Sequence, residues 1–302
     1  MKNKKYSKYD LLPHAQASDT VIPGCIALEG GSFRGVYTSG VLDALALADI
    51  NMHTTIGISA GSLTGYNYAT GSTGRAARIN LGFRRDFRYI GFGPLFRDKG
   101  LIGFKFLLDD CTEIFPYSEE SLSSGRRRFI AVATSCETGE TMYFEYGKCG
   151  NIFHAIQASS SMPYYSRITD VDGTPCLDGG CSVKVPYRWA INEGFEKIIV
   201  VRTLPKNYLR EEKPNADRAA NFFYRKYPEF IKVLQGSAPR ANRETKELIE
   251  LEKQGRIFLI CPPDGMKMHS MEGDPEVLGS YYEQGRRDGE AALPALREYL
   301  EI

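Results

Sequence analysis

The most constraining feature of this chain is a serine that stands between a predicted strand and a predicted helix. Residues 54–58 (TTIGI) are mostly β-branched and predict a short buried strand, and the residues after Ser59 predict a helix. Residues 57–61 (GISAG) match the pattern G-x-S-x-G. In such a turn, glycines avoid a Cβ clash and the serine hydroxyl rises above the sheet edge. The pattern predicts a nucleophile elbow with Ser59 flanked by Gly57 and Gly61, although a glycine-rich turn without chemistry is the alternative.

A serine nucleophile also needs backbone N–H groups that stabilise an oxyanion. A predicted strand at residues 24–28 runs into EGGSFRG (residues 29–35) and then into a predicted helix. Small residues leave backbone N–H groups uncovered, and the following helix adds its dipole. The turn can therefore form an oxyanion hole. A phosphate cradle is the alternative, but no Gly-Lys-Ser/Thr follows, and Ser32 stands where a dinucleotide-binding pattern requires glycine.

The candidate base is Asp178, which ends an apolar run and is followed by Gly179 and Gly180. An aspartate at a strand end can point inward when small residues follow it. The alternative is a turn aspartate, because Asp-Gly is a frequent turn pair.

The order of predicted elements indicates a parallel α/β sheet. Two strand–turn–helix units stand side by side in the first part of the chain. Further strands are predicted at residues 129–134, 141–146, 198–203 and 256–261, and residues 151–159 predict a helix with Asn151 as its N-cap. A closing helix is predicted over residues 275–300, with an interruption near Pro294.

Composition excludes several other classes of protein. The chain has 302 residues and a formal net charge of +1, which argues against bulk binding to nucleic acid. Its seven cysteines form no CxxC pair, and its four histidines show no zinc-finger spacing, so no metal site is expected. No apolar signal segment or membrane span is predicted, which favours the cytoplasm. We expect an N-terminal arm at residues 1–22 and one domain at residues 23–302.

Four sequence blocks, in this order and spacing, resemble the patatin-like phospholipase family, and its bacterial branch in particular. The blocks are the glycine-rich loop at 29–35, the serine elbow at 57–61, the segment ASSSMP at 158–163 and Asp-Gly-Gly at 178–180. The resemblance covers residues 24–204 well, and residues 205–302 form a helical and strand extension. It implies a three-layer α/β fold with a mostly parallel central sheet and helices on both faces.

The resemblance also implies an activity, namely a serine acyl hydrolase that cleaves lipid carboxylic esters without a cofactor. Ser59 is then the nucleophile and Asp178 the proton acceptor of a catalytic dyad. The oxyanion hole is assigned to the loop that contains Gly30, Gly31, Ser32, Arg34 and Gly35. The lipid class stays open among phospholipid, lysophospholipid and acylglycerol.

This sequence departs from the family pattern at two positions. Ser32 stands where the loop usually carries a third glycine, and Ser161 stands where a small apolar residue is common. Neither change removes a catalytic group.

Two alternatives to the dyad follow from the sequence. His269 lies after the last predicted strand, so Ser59, Asp178 and His269 have the chain order of an α/β-hydrolase triad. The other alternative is a catalytically silent lipid-binding protein.

A basic aromatic stretch at residues 82–108 suggests contact with a membrane surface. Its six basic residues and two acidic residues give a local charge of six minus two, or +4. A helical excursion with solvated charges is the alternative. The first interpretation predicts peripheral binding to anionic lipid.

Overall fold

The computed structural model describes residues 5–98, 100–211 and 216–302. Ten strands occur in these residues. They are β1 (Ala15–Gln16), β2 (Ile22–Leu28), β3 (Met52–Ile58), β4 (Ser72–Thr73), β5 (Arg128–Ser135), β6 (Thr141–Glu145), β7 (Thr169–Val171), β8 (Thr174–Asp178), β9 (Ile198–Val201) and β10 (Phe258–Ile260).

The central sheet has eight strands in the order β10-β9-β2-β3-β5-β8-β7, with β6 also paired to β5. The five strands from β10 to β5 run parallel, whereas β6, β7 and β8 join by antiparallel pairing. β1 and β4 form a separate antiparallel pair. The predicted mostly parallel α/β sheet is confirmed.

Helices cover this sheet and the loops at its ends. They are α1 (Gly35–Leu47), α2 (Ala60–Ala69), α3 (Arg75–Phe83), α4 (Phe92–Arg97), α5 (Cys111–Ile114), α6 (Glu120–Ser123), α7 (Ile152–Ser159), α8 (Tyr187–Asn192), α9 (Ala216–Phe223), α10 (Pro228–Gln235), α11 (Ser237–Lys253) and α12 (Pro275–Leu300).

The side chains of β2 alternate between two core clusters, which shows that helices cover the sheet on both faces in a three-layer fold. Ile26 and Leu28 belong to one core cluster with residues of α1 and α12. Cys25 and Ala27 point to the opposite face and join a second cluster with residues of α8 and α11. Because side chains alternate along a strand, a strand that is apolar at every position must be covered on both faces.

The predicted interruption near Pro294 is wrong, because α12 continues through this residue. A proline inside a helix removes one backbone hydrogen bond and crowds the preceding turn. Here Pro294 is exposed, while Leu296 and Leu300 are buried in the core. Solvent can therefore hydrate the freed carbonyl group while apolar packing holds both halves of the helix in line.

Residues 5–21 lie against the rest of the chain. Tyr6 is only 6% exposed and packs against Gly279 of α12, where a Cβ atom would come within 2.1 Å of its ring. Residues 1–4 of the expected arm lie outside the described residues, and the boundary at residue 22 stays a prediction. Within the described ranges, no helix is long and apolar enough to cross a membrane.

Candidate active site

Ser59 lies in a strained turn between β3 and α2. Its backbone has φ 55° and ψ −122°, a conformation that is costly for any residue with a Cβ atom. Gly57 and Gly61 make the turn possible: a Cβ atom on Gly57 would lie 2.3 Å from the Gly61 carbonyl oxygen, and one on Gly61 would lie 2.6 Å from that of Leu28. The local sequence therefore forms the tight strand–helix junction that its glycines predict.

Asp178 ends β8 at the same level of the sheet as Ser59. In the register, Ile58 pairs with Val132 of β5, and Asp178 pairs with the next β5 residue, Ala133. The Asp178 carboxylate accepts hydrogen bonds from the Ser59 hydroxyl and from the Gly180 N–H, the latter at 2.7 Å. Both side chains are 7% exposed. The fold thus brings a buried serine and a buried carboxylate into direct contact.

Burial sets the proton affinity of this pair. Desolvation raises the pKa of Asp178, and the hydrogen bonds from Ser59 and Gly180 together with the charge of Lys184 oppose that rise. Burial also lowers the pKa of Lys184, as does the charge of Arg210. Lys184 donates a hydrogen bond from its ammonium group to the Gly180 carbonyl oxygen. The carboxylate is therefore a stronger base than an exposed aspartate.

The loop after β2 faces Ser59 with its backbone. Within the described residues, the N–H groups of Gly31 and Ser32 donate no hydrogen bond, whereas the Phe33 N–H donates to the Ser270 carbonyl oxygen at 2.9 Å. Ser32 has φ 51°, and its hydroxyl donates to the Met162 sulfur at 3.3 Å. Two free N–H groups beside a buried serine are the donors that an oxyanion requires.

Close packing holds this loop in place. A Cβ atom on Gly31 would lie 2.4 Å from the Thr203 hydroxyl, and one on Gly35 would lie 2.7 Å from the Ala60 Cβ. Thr203 follows β9 and donates from its hydroxyl to the Gly30 carbonyl oxygen at 2.7 Å. Its N–H donates to the Glu29 carboxylate at 2.8 Å. The loop is therefore fixed by a neighbouring strand end as well as by its own glycines.

Arg34 lies partly buried at the end of the same loop. Burial lowers its pKa, and its Nε has no hydrogen-bond partner in the described part of the chain. The Nε atom lies 3.3 Å from the position that a Cβ on Gly31 would take. The guanidinium therefore packs against the loop and does not take the place of the loop's backbone N–H donors.

The segment at residues 158–163 forms hydrogen bonds with the backbones of both Ser59 and Asp178, a role that the sequence did not indicate. The Ser159 hydroxyl accepts a hydrogen bond from the Ser59 N–H at 2.9 Å. The Ser161 carbonyl oxygen accepts one from the Asp178 N–H at 2.9 Å. The first contact joins residues 100 positions apart and the second joins residues 178 − 161 = 17 positions apart, so no local pattern could reveal them.

Two cavities of different character meet at Ser59. One encloses about 990 Å³ of empty space, including its open mouth, and is largely apolar. Its apolar lining includes Val36, Leu63, Ile79, Ile90, Ile102, Leu107, Leu108, Phe153 and Ile156. The other is bordered by more charged residues, namely Glu29, Arg34, Asp178, Lys184 and Arg210. Ser32, Ser59 and Met162 border both cavities.

His269 is exposed on the loop between β10 and α12. Its backbone N–H donates to the Tyr281 hydroxyl at 3.0 Å, and no contact between its ring and Asp178 occurs among the residues described. The hydrogen bond that the aspartate accepts from a side chain comes from Ser59 itself. In the same residues, no group of three or more His, Cys, Asp and Glu side chains could hold a metal ion.

The basic side chains of the 82–108 stretch are largely engaged within the protein. Arg88 pairs with Asp86 at 2.9 Å, and Arg97 pairs with Asp110 at 3.0 Å. Arg84 donates to the Glu272 carbonyl oxygen. Lys99 lies outside the described residues. The exposed apolar side chains of this stretch are Phe87, Leu95 and Phe96.

Known proteins resemble this chain in sequence and in fold. Residues 26–191 match the family described as patatin-like phospholipase, and residues 227–301 match a domain of unknown function, DUF6363. The uncharacterized protein YjjU of Escherichia coli (strain K12) is 30% identical over 297 residues, which cover 92% of this chain and 80% of YjjU. VipD from Legionella pneumophila has a TM-score of 0.46 and 12% identity, covering 99% of this chain and 71% of VipD.

The first match spans more than half of the chain, and YjjU is similar over nearly all of it. The chain therefore belongs to the patatin-like phospholipase family, a family of lipid acyl hydrolases.

Proposed function

We propose that this protein is a serine acyl hydrolase that cleaves carboxylic esters of lipids with Ser59 and Asp178 as a catalytic dyad. One observation carries the proposal: at the elbow, the Ser59 hydroxyl donates directly to a buried carboxylate. A serine is a weak nucleophile until a base accepts its proton, and Asp178 is the base within reach.

The reaction has two steps through an acyl-enzyme. The Ser59 Oγ attacks the ester carbonyl carbon while Asp178 accepts its proton, and the N–H groups of Gly31 and Ser32 stabilise the oxyanion. Asp178 then gives the proton to the departing alcohol, and the acyl group stays on Ser59. In the second step Asp178 accepts a proton from water, the resulting hydroxide attacks the acyl-enzyme, and Ser59 recovers a proton as the fatty acid leaves.

The environment of Asp178 supports this role. Burial raises the pKa of the Asp178 carboxyl and so makes the carboxylate more basic, whereas the hydrogen bonds from Ser59 and Gly180 and the charge of Lys184 oppose that rise. A base whose pKa is raised toward the working pH transfers protons more effectively than an ordinary aspartate.

The two cavities suggest how a lipid binds. The acyl chain occupies the apolar cavity, because burying apolar surface is favourable. The head group or alcohol occupies the second cavity, where Arg34, Lys184 and Arg210 supply hydrogen-bond donors. Phospholipids, lysophospholipids and acylglycerols all have this division into an apolar chain and a polar part.

The test compares wild type with Ser59→Ala and Asp178→Asn on para-nitrophenyl butyrate and on a lysophospholipid. We expect Ser59→Ala to abolish turnover and Asp178→Asn to lower kcat by about 10²–10⁴-fold, because an amide cannot accept the proton. A loss below about tenfold in Asp178→Asn would assign this residue a structural role.

Two controls separate the dyad from the other interpretations. His269→Ala should leave kcat nearly unchanged, whereas a triad containing this histidine would lose most of its turnover. A fluorophosphonate probe should label wild type and not Ser59→Ala. Absence of labelling in wild type would indicate a silent lipid-binding protein.

A further inference from the structure

The apolar cavity beside Ser59 runs along α2 to a buried cation. Leu63 lines it one helical turn after Ser59, and Tyr66 and Asn67 line it about two turns after. Arg75, the first residue of α3, lines the same cavity and is only 7% exposed. A charged guanidinium is unexpected in a cavity that otherwise suits a hydrocarbon chain.

Only neutral groups accept hydrogen bonds from this guanidinium. Its Nε donates to the Phe115 carbonyl oxygen at 2.8 Å, one Nη donates to the Asn67 Oδ1 at 2.7 Å and the other donates to the Thr112 hydroxyl at 3.2 Å. An arginine has five N–H donors, so two of them have no acceptor among the residues that the structure describes. No carboxylate forms an ion pair with Arg75 in the described part of the chain.

The position of Arg75 is unfavourable for a cation on two counts. A buried charge without a counter-charge loses its hydration and gains no ion pair. Arg75 also begins a helix, where the helix dipole repels positive charge. The ring of Tyr117 lies 4.4 Å from the guanidinium and offsets part of this cost. An apolar side chain would fill the same space without a penalty, so a ligand group accounts best for the cation.

The distance from Ser59 defines that group further. Asn67, which holds the Arg75 guanidinium, lies eight residues after Ser59 in the sequence. At the rise of an α-helix, this corresponds to roughly 12 Å along α2. An acyl chain bound to Ser59 would therefore reach Arg75 with its far end when it is of medium length.

We propose that the cavity selects medium-length acyl chains whose far end carries a carboxylate, and that Arg75 binds this carboxylate with its two free N–H groups. The inference rests on the proposed function, because Ser59 marks the other end of the chain. It makes Arg75 a specificity-determining residue: the carboxylate pairs with the cation while Leu63 and the other apolar residues cover the methylene groups.

The experiment compares two para-nitrophenyl esters of equal chain length, the nonanoate and the monoester of nonanedioic acid. In wild type, kcat/KM should be about tenfold or more higher for the carboxylate-ended ester, as expected for a buried charge-assisted pair. In Arg75→Met this preference should disappear or reverse. Because the readout is a ratio within each variant, a general loss of activity cancels.

A matched control lies on the same helix. Arg78 follows Arg75 by three residues, does not line the cavity and donates to the Pro13 carbonyl oxygen. Arg78→Met should therefore keep the wild-type ratio. Equal or faster hydrolysis of the nonanoate by wild type overturns the proposal, and so does a preference that persists in Arg75→Met.

A binding measurement keeps the inference separate from the proposed function. The monomethyl ester of nonanedioic acid should raise the melting temperature of Ser59→Ala, which cannot hydrolyse it, more than methyl nonanoate does at equal concentration. If wild type hydrolyses no ester, the proposed hydrolase function fails, and this comparison alone decides the chain-end preference. An equal or smaller shift with the carboxylate-ended ester overturns the inference, and the same comparison serves if Arg75→Met does not fold.

Discussion

At the scale of single residues, the elbow depends on a hydroxyl that comes from another helix. The Ser59 backbone adopts a sparsely populated conformation that costs about 1–3 kcal/mol for a residue with a Cβ atom. The Ser159 hydroxyl, at the end of α7, accepts the Ser59 N–H and is fully buried. The next residue, Ser160, is also buried, but its hydroxyl has no hydrogen-bond partner in the described residues. The two serines therefore form a natural comparison.

Replacing Ser159 with alanine should destabilise the protein, because it leaves the buried Ser59 N–H without an acceptor. We expect the free energy of unfolding to fall by about 1–3 kcal/mol. Ser160→Ala should change it by less than about 0.5 kcal/mol, since no hydrogen bond is lost. Urea denaturation of both variants measures the difference. Equal effects would mean that the hydrogen bond to Ser59 contributes nothing to stability.

At the scale of elements, α1 and α12 are packed through glycines and joined by buried polar contacts. A Cβ atom on Gly40 would lie 2.1 Å from the Tyr282 carbonyl oxygen, so the two backbones approach each other closely. Asp43 of α1 accepts hydrogen bonds from the Tyr282 hydroxyl at 2.9 Å and from the Gly74 N–H at 2.7 Å. Burial nevertheless raises the pKa of Asp43 from 3.8 to about 7.

The raised pKa of Asp43 predicts a pH-dependent stability. The native state favours the protonated acid, so this contribution is complete below the unfolded pKa and is lost as the pH rises toward the folded value near 7. Asp43→Asn removes the titration and keeps an acceptor for Gly74. From pH 5 to pH 8, wild type should lose about 1–3 kcal/mol more than the variant. Denaturation curves at both pH values measure this, and parallel losses would contradict it.

At the scale of the whole molecule, exposed aromatic side chains belong to the same stretch of chain as residues that line the apolar cavity beside Ser59. Phe87 is 74% exposed and Phe96 is 85% exposed, and both come from the stretch whose Ile90 and Ile102 line the apolar cavity. Because Arg88 and Arg97 are paired within the protein, insertion of aromatic rings is a stronger basis for membrane contact than free positive charge.

Binding to anionic vesicles should therefore depend on these rings. Replacing Phe87 and Phe96 together with serine should lower the vesicle-bound fraction at least several-fold, because both apolar contacts are lost. In the control variant, Phe222 and Phe223 of α9 are both replaced with serine. These two side chains are also exposed but lie elsewhere in the chain, so the control variant should bind vesicles like wild type. Co-sedimentation at low and high salt gives the measurement. No binding of wild type at low salt would end the hypothesis.

The sequence by itself determined the features that depend on neighbouring residues. The glycines around Ser59 require a tight strand–helix turn, and the apolar runs require a sheet that is covered on both faces. Asn151 was predicted as the N-cap of α7, and its side chain accepts the N–H groups of Phe153 and His154. Such features follow from local sterics and short-range hydrogen bonds, so a window of the sequence contains their cause.

Only the tertiary structure decided which distant groups meet. The contact of Ser159 with Ser59, the position of Arg75 in the cavity and the continuous helix through Pro294 all depend on packing between segments that are far apart in the chain. A single sequence carries no local signal for such partners, because they are selected by the volume and polarity of the assembled core. The sequence therefore predicted which residues are suited to the chemistry, whereas packing determined what surrounds them.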